Sequence, residues 1–394
     1  MGAASANGAS TELPYLDLAY DHANSEATAK ELVYTIQPKW RECPDEIKIV
    51  QFKEGITNTL FKLARHGPGM TQEDIDANSV LMRAYGNNTD ILIDRDREAT
   101  SHLTCAKHGL APPLLARFNN GLLYRYIPGD VCTPQDLIDE SVWRPVARQL
   151  GKWHATLPIE SASAINGEGC ANGHAKGIAG RKPSPNIWTV MRRWVEALPQ
   201  QSPKEQARKQ FLERELEQSF QELDNTRGPG RSGFVFGHCD LLSANVIRTN
   251  VVDGQQNVAF IDYEYAVTCP AAFDIANHFA EWGGYDNMLP TRSIRHEFLA
   301  EYLSSYNKYG TSPVPNATSL DTLELEVDRF RGMPGLYWGI WALIQAQISL
   351  IDFDYASYAE VRLGEYSAWR DEVTGQRQKE NTEAPLRERR WAET

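Results

Sequence analysis

The sequence predicts an α+β fold in two parts, a small β-rich first part and a larger, mostly helical second part. Three observations carry that expectation. Up to about residue 128, short runs alternate apolar and polar residues between turn signals. Beyond that point the apolar spacing becomes helical, and from Pro270 on the chain reads as helix after helix. The 394 residues, 42% hydrophobic and 23% charged, suffice for an ordinary core in one large domain or two lobes.

Residues 1–12 are expected to be disordered, and Ser25 to Ile36 to be helical. IKIVQF, NTLFKLAR and VLMRAYG then read as a meander of strands. Asp94 to His108 reads as a helix stopped by Gly109, and GLLYRYIPGD as a strand ending in a Pro-Gly turn. Residues 13–128 thus make a first lobe with a leading helix, and 129–370 a second lobe. In the second, Trp143 to Leu157 places Val146, Leu150, Trp153 and Leu157 on one helical face. Residues 160–185, rich in Gly, Ala, Ser and Asn, read as an irregular insertion. Lys204 to Leu223 reads as a charged amphipathic helix, and GFVF and NVAFID as strands. Gly335 to Ile351 is apolar but carries Gln345 and Gln347 and is short for a membrane span, so a buried helix is expected. The tail, 371–394, is highly charged and is expected to fray. A cleft between two such lobes is a natural ligand site.

Composition excludes several classes of function. A net charge of −12 disfavours nucleic acid and is compatible with a cationic ligand. Six scattered cysteines without a CxxC pair argue against zinc and against a disulfide framework, and fit free thiols. MGAASANGASTELP has neither the basic flank nor the apolar core of a signal peptide. A cytoplasmic protein without stable membrane insertion is the expectation.

The chemistry concentrates in GHCDLLSANV, Gly237 to Val246, and in FIDYEYA, Phe260 to Ala266. Together they read H-x-D-x-x-x-x-N followed by a strand ending in I-D. In protein kinases that grammar supplies a base, an amide ligand five residues later and a metal-binding Asp at a strand end. Asp240 is therefore the candidate base, and Asn245 and Asp262 the candidate ligands of a hard cation. By itself the first motif is short, and its Asp and Asn could simply cap turns. GITNTLF, Gly55 to Phe61, lies between two strands, where a phosphate-covering loop belongs, but with one Gly it reads as readily as a hairpin. Arg83 is a lone cation in an apolar strand; alone it is expected to face outward, and in a kinase lobe to pair with phosphate, with Glu98 as its ion-pair partner. FDIANHFAEW sets Asp274, Asn277, His278 and Glu281 on one helical stripe. Trp338 with Trp341 and Tyr355 with Tyr358 are helical neighbours, a spacing more often found in cores. Aromatic faces beside an acid such as Glu281 also suit a small organic cation.

From about residue 30 to 370 the sequence resembles the choline/ethanolamine kinase family, with HCDLLSANVI, FIDYEYA, FDIANHFAEW and YWGIWALIQA in the family's order. RAYGNNTDILIDRDRE, FNNGLLYRYIPG and the DLL after the base are more similar to its ethanolamine kinases. The resemblance implies a bilobal protein-kinase-like fold. It implies ATP- and Mg²⁺-dependent phosphorylation of ethanolamine to phosphoethanolamine, the first step of the CDP-ethanolamine route to phosphatidylethanolamine. It further implies Asp240 as base, Asn245 and Asp262 as Mg²⁺ ligands, and Glu264 as a weaker one. Residues 53–59, with Gly55, Thr57, Asn58 and Thr59, and Arg83 would hold the triphosphate. Tyr265, Glu281, Trp338, Trp341, Tyr355 and Tyr358 would line the amino-alcohol pocket, and Asp274 would brace the catalytic loop. Cys239 and Arg125 depart from the family, which usually has Asn and Gln or Glu there. A choline or dual-specificity kinase, an aminoglycoside phosphotransferase and a non-catalytic amino-alcohol-binding pseudokinase are the rivals. A homodimer is compatible with the sequence.

Overall fold

The computed structural model describes residues 13–52, 58–86, 89–159, 185–226, 228–230, 233–251, 254–283, 289–310 and 319–394. The chain divides into two units, Met1–Thr89 with His102–Pro128, and Asp90–Ser101 with Gly129–Thr394.

In the first unit, helix α1 (Ser25–Ile36) precedes a hairpin of β2 (Ile47–Phe52) and β3 (Asn58–Arg65). Helix α2 (Gln72–Asn78) leads into β4 (Val80–Tyr85). Strands β5 (Leu114–Phe118) and β6 (Gly121–Arg125), with the short β1 (Tyr15–Leu16), complete a six-stranded sheet in the order β1-β5-β6-β4-β3-β2. All pairings are antiparallel except β1 with β5. Leu32 and Val33 of α1 pack with Phe61, Leu63, Met82, Phe118 and Leu123 of the sheet in one apolar core. β4 is buried from Val80 to Ala84, so Arg83 is not the outward-facing residue expected of a lone strand arginine; it is 6% exposed. Three elements of this unit went unpredicted, β5 among them. Helix α2 carries a capping box, with Thr71 Oγ1 accepting from the Asp74 backbone and Asp74 accepting in return. β1 is two residues long and takes its register from residues 117–118.

The second unit begins with the first half of α3 (Arg95–Lys107). After β7 (Asp130–Val131) comes α4 (Glu140–Thr156), whose Val146, Leu150 and Trp153 are fully buried as the helical face predicts. Helices α5 (Ile187–Ala197) and α6 (Pro203–Leu223) follow. The insertion read at 160–185 lies, but for its last residue, outside the described residues. Strands β8 (Phe234–Gly237) and β11 (Val267–Pro270) pair with each other, and β9 (Val246–Arg248) pairs with β10 (Val258–Phe260) and β7. The remainder is helical: α7 (Ala271–Glu281), α8 (Arg292–Tyr309), α9 (Leu320–Phe330), α10 (Met333–Ile348) and α11 (Tyr355–Val373). Two short helices end the chain, α12 (Gln376–Glu380) and α13 (Leu386–Ala392).

α4 packs along α8 and α10 along α11. At Gly151 of α4 a Cβ would run into the Tyr302 carbonyl oxygen of α8, so only glycine permits that approach. No described helix is long and apolar enough to cross a membrane, and α10 is a buried helix as expected. The tail is not frayed. Arg295 donates to the Trp391 carbonyl at 2.8 Å, Trp391 Nε1 donates to Asp328 at 2.7 Å, and Arg331 pairs with Glu388 at 3.0 Å. Its charges meet partners on earlier helices, which a count of charge cannot foresee.

Candidate active site

β8 delivers the chain into His238–Asn245, and the stripe on α7 holds that loop by its backbone. Asp274 accepts from the backbone N–H of His238 at 2.9 Å and of Cys239 at 2.7 Å. Asn277 Nδ2 donates to the Cys239 carbonyl at 3.1 Å, and His278 Nδ1 donates to the Leu241 carbonyl at 2.7 Å. The bracing expected of Asp274 is thus shared by three of the four stripe residues. Only the backbone of residue 239 is used, so the departure to Cys239 costs the brace nothing. Its thiol lies buried 3.7 Å from that of Cys269.

Burial alone would raise the Asp274 carboxyl, but the hydrogen bond and charge of His154 and the His238 side outweigh it and hold it below the ordinary value. His154 Nε2 donates to Asp274 at 2.8 Å, and the Tyr302 hydroxyl sits 2.8 Å from its other ring nitrogen. His238 reaches the second motif: its Nε2 donates to the Ile261 carbonyl at 3.0 Å, and Ile261 N–H donates to the Asn245 carbonyl at 3.0 Å. Burial keeps the His238 imidazole below its usual value, hence neutral and structural. Among the described residues three non-glycines have positive φ, and two of them, Cys239 at 62° and Asp262 at 66°, sit in these two loops. L-residues hold that conformation only where their surroundings impose it.

Asp240 emerges from this frame 7% exposed. Asn245 Nδ2 donates to its carbonyl at 2.7 Å and to Oδ2 at 3.1 Å. Burial, then the like charges of Asp262, Glu264 and Glu281, push its carboxyl well above the ordinary range. A buried carboxyl among three further acids is a setting that a divalent cation would relieve, and the donors are the hard oxygens that Mg²⁺ prefers. Asp262 and the Asn245 amide oxygen fit that role. Glu264 is 2% exposed and accepts from Arg95 Nη1 at 3.2 Å, which also holds Glu98 at 2.9 Å.

The aromatic candidates form one wall. Trp341 Nε1 donates to the Tyr265 hydroxyl at 2.7 Å, and the Tyr265 ring stands edge-on to Trp338 at 5.6 Å. Trp338 and Trp341 meet at 5.5 Å, and Trp341 and Tyr355 at 5.7 Å. Phe353 continues the series, 4.8 Å from Tyr355 and 5.8 Å from Tyr358. Arg362 lies 5.9 Å from the Tyr358 ring and pairs with Glu281 at 2.7 Å, which brings the circuit back to an acid that Asp240 senses. Trp338 also donates to Asn277 at 2.8 Å, tying this wall to the catalytic loop's brace.

The nucleotide candidates belong to the first unit. Asn58 and Thr59 open β3 opposite Tyr85 and Ala84, Arg83 is buried in β4, and Gly55 and Thr57 lie outside the described residues. Glu98, expected to pair with Arg83, is counted with the second unit, where Arg95 holds it. Sequence reasoning missed His154, Arg95, Phe353 and Arg362. Their links span from a few to more than 160 residues, and no local motif announces them; only Arg362 carried a signal, one helical turn beyond Tyr358.

A family model described as "Choline/ethanolamine kinase" matches residues 49–367. The chain is 33% identical over 378 residues to ethanolamine kinase 1 of Mus musculus, covering 93% of this chain and 96% of that protein. Its fold is similar to that of Plasmodium vivax ethanolamine kinase, with TM-score 0.67, 20% identity and 89% of each chain covered. A choline kinase from Cryptosporidium parvum gives TM-score 0.63 at 21% identity, covering 88% of this chain and 97% of that one. The α+β, protein-kinase-like fold class read from the sequence is thereby the fold of the structure, and the chain belongs to the choline/ethanolamine kinase family.

Proposed function

We propose that this protein transfers the γ-phosphoryl group of ATP to the hydroxyl of ethanolamine, giving phosphoethanolamine. The observation that carries the reading is Asp240, a buried carboxyl aimed by Asn245 and backed by a loop whose backbone is tied at four points. Asp240 accepts the proton of the substrate hydroxyl as that oxygen attacks the γ-phosphorus. Its raised proton affinity suits a base, because a very weak base would take no proton. Asn245 keeps Oδ2 oriented, and Asp274 and His154 fix the loop, so little reorganisation accompanies the transfer. Mg²⁺, bound by Asp262 and Asn245, would neutralise charge on the phosphates. Glu264 is a weaker ligand, since Arg95 already occupies it. The triphosphate is assigned to Gly55, Thr57, Asn58, Thr59 and Arg83, and Glu98 is kept as an ion-pair candidate.

The ammonium head is assigned to Tyr265, Trp338, Trp341, Tyr355, Tyr358 and Glu281. Aromatic faces supply attraction and Glu281 an acceptor. The relatives named ethanolamine kinase support the acceptor's identity. An aromatic wall would also accept a methylated head, so choline is the second reading. A small, water-soluble acceptor and ATP suit a cytoplasmic enzyme. The test is ADP release with ATP and Mg²⁺, and ethanolamine and choline competing for labelled ATP. Ethanolamine should be phosphorylated in preference. Preference for choline would replace the reading, and no ADP release with either would leave a binding protein.

A further inference from the structure

We propose that the C-terminal helix α13, beyond the segment matched by the family model, positions the amine-binding carboxylate of Glu281 through Arg387. Glu281 is the last residue of α7, and two lines run to it from Arg387. In the first, Arg387 Nη1 pairs with Glu365 Oε1 at 2.9 Å, Glu365 Oε2 lies 3.3 Å from Arg362 Nη1, and Arg362 Nη2 holds Glu281 Oε1 at 2.7 Å. In the second, Arg387 Nη2 donates to the carbonyl of Ala280, the residue before Glu281, at 3.1 Å. That carbonyl lies in the last turn of α7, where helix carbonyls lack intrahelical donors and a cation is favourable.

The four charged side chains are all largely buried: 14% exposed for Arg387, 12% for Glu365, 6% for Arg362 and 16% for Glu281. They alternate in sign and sum to zero. Burial works against the charged Arg362, yet Glu281 and Glu365 hold its guanidinium above the usual value. Remove Arg387 and the relay is left with one unmatched negative charge in a poorly solvated place. Glu365 then competes fully for Arg362, Glu281 loses the donor that fixes Oε1, and the end of α7 loses its cap. Glu281 acts on Asp240 only through its charge, after burial, Asp262 and Glu264 in weight, and Arg387→Ala leaves that charge in place, so the loss should fall on amine affinity rather than on the chemical step.

This inference rests on Glu281 being an amine-site residue, and the experiment separates the two. Steady-state KM for ethanolamine, KM for ATP and kcat are measured for wild type, Arg387→Ala, Arg387→Lys, Glu365→Gln and Glu281→Gln. Arg387→Ala should raise KM for ethanolamine roughly 5- to 10-fold with KM for ATP and kcat within about twofold. Arg387→Lys, with one charge and no fork, should recover part of the loss. Glu365→Gln breaks the same relay from α11, with the sequence of α13 unchanged and the Arg387 bond to Ala280 left in place, and should shift KM the same way, which keeps the test decisive if Arg387→Ala folds poorly. The tail's anchors at Trp391 and Glu388 are untouched by either change. An unchanged KM for ethanolamine in both variants, or a loss shared equally by KM for ethanolamine, KM for ATP and kcat, overturns the inference if Glu281→Gln raises the ethanolamine KM. If Glu281→Gln itself leaves KM unchanged, the amine-site assignment fails first.

Discussion

The loop carrying Asp240 and the wall of aromatic rings are linked through Asn277 but are built mainly from different materials. The loop is held through its backbone by buried side chains of α7, each hydrogen bond between 2.7 and 3.1 Å. The wall is held mainly by ring-on-ring contacts, with hydrogen bonds from Trp338 and Trp341 at its enclosed end, and grades toward the open: Tyr355 is 3% exposed, Trp341 8% and Phe353 38%. Directional bonds fix a position to fractions of an ångström, as proton transfer requires. Apolar ring contacts fix a surface but leave rings room to adjust, as binding a small cation requires. The difference teaches that chemistry and selection should fail separately when each region is disturbed.

The sharpest way to break the contrast is Asp240→Asn, expected to lower kcat roughly 10²–10⁴-fold while ATP binding survives, read by ADP release. Retained turnover would remove the loop from the chemistry. Asp274→Ala leaves two buried N–H groups and His154 without their acceptor. It should cost about 3–5 kcal/mol in urea unfolding, as loss of one partner of a buried pair does, and lower kcat with it. On the wall, Trp338→Leu or Trp341→Leu should raise KM for ethanolamine about 2- to 30-fold, the range of one lost cation–π contact, with kcat little changed. Equal losses in kcat would mean that the wall also positions the reacting oxygen.

A smaller effect comes from the same aspartate in reverse. The Asp240 carboxyl titrates well above its ordinary 3.8 in the folded protein. Its protonated form therefore favours folding below 3.8, and that contribution is lost as pH rises through the raised value. Asp240→Asn, which carries no charge, should melt about 1–3 °C above wild type without nucleotide or metal at neutral pH, and the gap should shrink on acidification. A gap independent of pH would assign the strain to something other than the carboxylate. Smallest of all, Phe353→Ala at the open end of the wall should change KM for ethanolamine less than about threefold.

Much of this was legible in the sequence. α1 has the bounds that its pattern implies, and the strands IKIVQF and NTLFKLAR are β2 and β3 residue for residue, because period and punctuation agree there. Asp240, Asn245 and Asp262 were legible because local spacing places them on two adjacent turns. The stripe Asp274, Asn277, His278 was seen as a stripe, but its target was not, since it lies some 36 residues away in the chain. β1, His154, Arg95 and the docked tail were hidden for the same reason: each is defined by a partner that only folding supplies. Taken alone, Arg83 read as an outward-facing strand residue, because strand alternation assumes one wet face; β4 is buried from Val80 to Ala84.

Gly151 has no polar atom beyond its backbone and touches no reacting group, yet it sets the spacing on which His154 depends. A single methyl there would wedge α4 from α8 and withdraw the imidazole from both Tyr302 and Asp274. Damage of that kind would look like a catalytic lesion in an assay and like a packing defect in a melt. A survey of variants ranked only by distance from Asp240 would pass over it.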